Sequence, residues 1–142
     1  PDRATERAIL LATTGTDDAA VGAVFGPADL LAAQTLIRRM PVGETVVAAI
    51  LTLVRACRPG TTEADASLGD SLAWGPGPRA SQALMLAVRA RALLDGRLAP
   101  SIDDVVALAE PVLKHRMALS FSARADGMTV ETVIASLVKP IG

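Results

Sequence analysis

Apolar positions in this chain recur at helical spacing over several stretches, each marking one buried face. Residues 2–13 predict a first short helix: Asp2 stands where an N-cap belongs, and Ala8, Ile9, Leu11 and Ala12 give an apolar side. Thr14-Gly15-Thr16-Asp17-Asp18 ends it, with Gly15 expected in a left-handed turn and the two aspartates in solvent. Residues 21–25 are a short apolar run with a weak strand pattern. Gly26-Pro27 opens a second helix on which Leu30, Ala33, Ile37 and Met40 keep the period, and Arg38-Arg39 complement the dipole at its C-terminal end. Pro41-Val42-Gly43 breaks the chain. A third helix over residues 44–57 carries one wide apolar stripe of Val46, Val47, Ile50, Leu51, Val54 and Cys57.

Between residues 58 and 77 the periodicity disappears into a polar stretch punctuated by Pro59, Gly60, Gly69, Gly75, Pro76 and Gly77. A connection this long predicts a surface loop with room for one helical turn, closed by Trp74. Residues 78–94 then predict the central helix, with Pro78 in the first turn and Gly96 past the end. Leu84, Met85, Leu86, Val88, Leu93 and Leu94 surround it, so it is expected to be the most buried element. Ser101-Ile102-Asp103-Asp104 reads as a capping box with Asp in place of Glu. The helix it opens has Pro111 inside, which predicts a kink or a division after Glu110. Thr129 caps a last helix over residues 130–137.

The fold class that follows is all-α: a small bundle of about five to six helices with at most one or two very short strands. Composition agrees with a packed core, since 51% of the 142 residues are hydrophobic and 20% charged. No apolar run approaches the roughly 20 residues of a membrane span, and no leader pattern opens the chain. The expectation is a cytoplasmic chain with no membrane partner. Fourteen basic against fifteen acidic side chains leave a net charge of −1, and aromatics are 2%, which argues against a nucleic-acid binder. One Cys and one His exclude disulfides and the usual zinc sites, so no metal is assigned. The only lysines, Lys114 and Lys139, lie in no phosphate-binding loop.

One constellation carries chemistry: Trp74-Gly75-Pro76-Gly77-Pro78-Arg79-Ala80-Ser81 sets an arginine in the first turn of a helix. A cation is unfavourable at that positive end unless it and the helix terminus face a shared anion such as a phosphate. The alternative is that Gly and Pro shape the turn and Arg79 lies in solvent. His115, beside Lys114 and Arg116, has no evident partner and suits a helix C-terminus better than catalysis. Cys57 reads as a packing thiol and Asp103-Asp104 as first-turn stabilisers. Arg89 and Arg91 interrupt an apolar helix, either as internal ion pairs or at an interface.

Three stretches together resemble the C-terminal lid of MoxR-type AAA+ ATPases: Gly77-Pro78-Arg79-Ala80-Ser81, then Ala90-Arg91-Ala92-Leu93-Leu94-Asp95-Gly96-Arg97, then Val112-Leu113-Lys114-His115-Arg116-Met117-Ala118-Leu119. Pro1-Asp2, Glu6 and Ile9-Leu10 are similar to the end of the family's ATPase core, which sets residues 1–13 as core end or connector helix and residues 14–142 as the lid. The resemblance implies that Arg79 is the sensor-2 arginine, reaching the γ-phosphate of ATP with Pro78 beside it. It also implies ATP and Mg²⁺ in the full-length protein, a core domain of the same protein as partner, a homo-hexameric ring, chaperone-like remodelling, and partners with a von Willebrand factor A domain. Many members have Ser where this chain has Gly77. Walker A, Walker B, sensor 1 and the arginine finger are not among these residues, so no ATP hydrolysis is expected of them alone. The other reading is a freestanding helical interaction module that docks a protein and binds no nucleotide.

Overall fold

The computed structural model describes residues 1–16 and 22–141 and divides the chain into two units, Pro1–Ala32 and Ala33–Gly142. In the first, helix α1 spans Arg3–Thr13, and the Asp2 carboxylate accepts from the Thr5 amide at 2.8 Å, as an N-cap should. No residue of α1 is buried, so its expected apolar side lies open, with Ile9, Leu10 and Leu11 exposed. Gly15 is not left-handed; the helix end is closed instead by the Thr14 amide and hydroxyl, both donating to the Leu10 carbonyl. Residues 22–25 form no strand, and Asp17, Asp18 and Val21 lie outside the described residues. Helix α2, Pro27–Arg39, begins in this unit, where Asp29 turns back to accept from the Gly26 amide at 2.9 Å.

The second unit holds the core. It contains α3 (Glu44–Ala56), α4 (Pro78–Leu94), α5 (Ile102–Leu113), α6 (Phe121–Ala125) and α7 (Val130–Val138). Helix α5 is the hub, packing against α3, α4 and α7. Ile50, Leu53 and Val54 from α3, Leu84 and Val88 from α4, Val105 and Leu113 from α5, and Ile134 and Leu137 from α7 close one continuous apolar cluster. Each such large side chain contributes on the order of 2 kcal/mol by leaving water. Ala80 and Ala92 are buried on α4, where small side chains let helices approach closely.

The small helical bundle expected from the sequence is therefore what the chain forms. Six of its helices match the periodic stretches, and α6, only five residues long, brings the described total to seven. Three details differ. Leu51 is exposed and Leu53 takes its place in the core. Leu94, the last residue of α4, is 86% exposed, and α5 rather than α4 is the more central helix. Helix α5 runs through Pro111 without division, since that residue sits in the last turn, where its missing N–H removes a single bond. The long connection does contain the expected helical turn, a 3-10 turn at Ala66–Leu68, and the very short strands are β1, Leu72–Trp74, pairing antiparallel with β2, Ala118–Leu119. Among the described residues no helix is long and apolar enough to cross a membrane.

Candidate functional site

The N-terminus of α4 is placed by the segment before it, and that segment is fixed from three sides. Pairing of β1 with β2, extended by the Ser120 amide donating to the Ser71 carbonyl at 2.8 Å, holds it against the chain after α5. Gly75 lies against the end of α3: a Cβ there would overlap the Cys57 carbonyl oxygen and stand 3.1 Å from the Arg58 Cα. Only glycine allows that approach. Pro76 is fully buried, and its carbonyl accepts from Arg58 Nε at 2.8 Å. Gly77 then serves as the N-cap with extended φ/ψ, Pro78 fills the first turn, and no side chain caps the helix.

Arg79 stands in that first turn, exposed, and with the described residues it makes no hydrogen bond or ion pair. Pro78 and Gly77 beside it are also exposed. The helix end is positive and its capping side chain is missing, so a guanidinium is displayed at a place that itself attracts anions. Geometry of this kind suits a phosphate approached from outside the domain, held by a charge-assisted fork. Among the described residues no group of three or more His, Cys, Asp or Glu is placed to hold a metal ion.

The other end of α4 uses its arginines differently. Arg97 lies just past the helix, where the left-handed Gly96 (φ +72°) turns the chain so that the Arg97 amide donates to the Ala92 carbonyl at 2.8 Å. Its guanidinium grips Asp104 with both terminal nitrogens, at 2.8 and 2.7 Å, and reaches Asp95 at 2.9 Å. Arg91 approaches the same carboxylate at 3.1 Å, and the Ser101 amide donates to it at 2.8 Å, completing the expected capping box. Asp104 is only 2% exposed. Chiefly the Arg97 hydrogen bonds, with help from Ser101 and against the cost of burial, hold its carboxyl down at about 2. The same contact raises the Arg97 guanidinium further above its ordinary range. Asp104 is thus much more than a first-turn carboxylate.

The remaining candidates disperse. Cys57 is buried among apolar side chains, and burial pushes its thiol up to about 11, which makes it a packing group. His115 is exposed in a 3-10 turn, Lys114–Arg116, that follows α5. Arg89 donates to the Arg38 carbonyl at 3.3 Å, while its Nε is buried without a partner. Two residues that shape the site have roles that the sequence alone does not show: Gly75, which stands in the constellation before Arg79, and Arg58. Their signal is weak: an arginine where a helix stops, and one glycine among several in a loop.

Comparison with known proteins follows the same line. A family model described as "AAA lid domain" matches residues 67–137, which is half of the chain. Chaperone MoxR1 of Mycobacterium tuberculosis is 29% identical over 118 residues, covering 83% of this chain and 31% of that protein. The chain therefore spans about a third of the length of that relative. A crystal structure of a candidate ATPase from Cytophaga hutchinsonii superposes with a TM-score of 0.81 at 22% identity, over 97% of this chain and 42% of the other. That likeness is one of fold.

Proposed function

This chain belongs to the AAA lid domain family, as a lid of MoxR type, and we propose that it serves as the nucleotide-sensing lid of an AAA+ ATPase through Arg79. One observation supports the reading before any other: an exposed guanidinium, without a partner among the described residues, in the uncapped first turn of a helix whose approach is rigidly built. Every other requirement of an ATP site lies outside these residues, so the nucleotide is supplied by a core domain of the same protein, for which residues 1–13 are the connector. Mg²⁺-ATP brings the transferable phosphoryl group. Arg79 contributes positive charge at the terminal phosphate, and Pro78, lacking an N–H and locked in φ, keeps the turn open beside it. When the terminal phosphate leaves, that attraction is lost and the lid is released, which couples nucleotide state to movement.

The reading extends to the assembly. A homo-hexameric ring in the cytoplasm, remodelling clients in a chaperone-like way with partners that contain a von Willebrand factor A domain, is the setting in which such a lid works. In the intact ATPase, Arg79→Ala is expected to lower ATP turnover about 100-fold, the scale for one preorganised charge-stabilising donor. Arg79→Lys is expected to recover part of it, since an ammonium keeps the charge but not the fork. The 142 residues alone are expected to release no phosphate from ATP. Wild-type turnover by the Arg79→Ala protein would defeat the proposal.

A further inference from the structure

We propose that Arg58 is a positioning residue for Arg79, holding the Pro76 carbonyl so that α4 leaves its loop in one fixed place. The inference rests on the sensing role proposed above for Arg79. Arg58 lies half-buried just past the end of α3, and its Nε–H donates to the Pro76 carbonyl at 2.8 Å across eighteen residues of sequence. Pro76 itself is fully buried, and its carbonyl is satisfied by the Arg58 guanidinium. One residue earlier, Gly75 presses on the Cys57 carbonyl and the Arg58 Cα, so the α3 end and the segment before Arg79 are locked at two adjacent points.

The α3 end is itself secured. The Asp65 amide donates to the Ala56 carbonyl at 3.1 Å and the Thr61 hydroxyl to the Arg58 carbonyl at 3.1 Å. Arg58 is therefore braced on its own side and transmits that order to Pro76. Two residues separate Pro76 from Arg79, and neither Gly77 nor Pro78 carries a polar side chain that could anchor the turn in its place. A guanidinium displaced by even about 1 Å loses much of its effect on a transferring phosphoryl group, at a cost of up to about 100-fold in rate. Arg58 thus acts on chemistry through Arg79 and not by touching nucleotide.

Two measurements test this together. In hydrogen exchange on this chain, Arg58→Ala is expected to speed amide exchange across residues 73–81 about tenfold, the effect of losing one buried charge-assisted hydrogen bond. Exchange in α5 and α7 should stay unchanged, which verifies that the bundle is folded. In the intact ATPase, Arg58→Ala should lower kcat about tenfold with little change in KM, and Arg58→Lys, which retains a donor, should restore most of it. The double variant Arg58→Ala/Arg79→Ala should turn over no more slowly than Arg79→Ala alone. Unaltered exchange over residues 73–81, or a double variant showing the full product of the two losses, would overturn the inference. If Arg79→Ala by itself keeps wild-type turnover, the sensing role fails, and the exchange result alone then decides whether Arg58 orders the turn.

Discussion

The two ends of α4 carry arginines in opposite circumstances. At the C-terminal end, Arg91 and Arg97 converge on one buried carboxylate, Asp104, whose own lone pairs are also served by the Ser101 amide. At the N-terminal end, Arg79 has no carboxylate and no described partner. The backbone leading to it is nevertheless closely constrained, through Gly75, Pro76 and Arg58. The contrast separates two uses of one side chain. Where the counter-charge is built in, an arginine joins helices, here α4 to α5. Where the scaffold is rigid and the counter-charge missing, the charge is held ready for something that arrives from outside.

Charge reversal probes the contrast most sharply. Arg97→Glu would set a new carboxylate against Asp104 and Asp95, and should lower the midpoint of urea unfolding further than Asp104→Asn does. A midpoint left at the wild-type value would mean that the C-terminal cluster is not a structural joint.

Asp104→Asn should cost about 2 kcal/mol at neutral pH, and the cost should depend on acidity. Asp104 binds its proton less readily folded than unfolded, so its contribution is complete above the unfolded carboxylate pKa of about 3.9. It then fades as pH falls through the folded value of about 2. The gap between wild type and Asp104→Asn should accordingly close between pH 4 and pH 2, by the same linkage. A gap that stays constant over that range would remove the ion pair from the explanation.

Smaller effects grade the rest. Arg91→Ala should cost about 0.5–1 kcal/mol, because that side chain is 45% exposed and supplies only the third contact to Asp104. Arg79→Ala should change stability by no more than about 0.5 kcal/mol, as expected for an exposed side chain with no partner. A larger loss there would show that Arg79 is structural after all, and the distinction between the two ends would disappear.

Much of this could be read from the residues alone, and the exceptions share a cause. Helix α4 begins at Pro78 and ends before Gly96, Asp104 closes the capping box with Ser101, and Thr129 caps α7. Each of those signals is local, contained within a turn or two of chain. Periodicity shows that a helix has an apolar side but not which positions meet a neighbour, hence the exchange of Leu51 for Leu53 and the exposure of Leu94. Helix α6 is too short to display a period at all. The same limit applies at the site. Arg79 is visible because its meaning lies in its own turn, whereas Arg58 and Gly75 acquire theirs only when residues 57–58 and 75–76 meet in space. Likewise the six residues between Arg97 and Asp104 give no hint that the two form a bidentate pair.

The most direct test is a crystal structure of the intact ATPase with a non-hydrolysable ATP analogue. The account predicts the Arg79 guanidinium at charge-assisted hydrogen-bonding distance, about 2.7–2.9 Å, from an oxygen of the terminal phosphate. A complex in which that guanidinium points away, with the phosphate neutralised entirely by other residues, would contradict it.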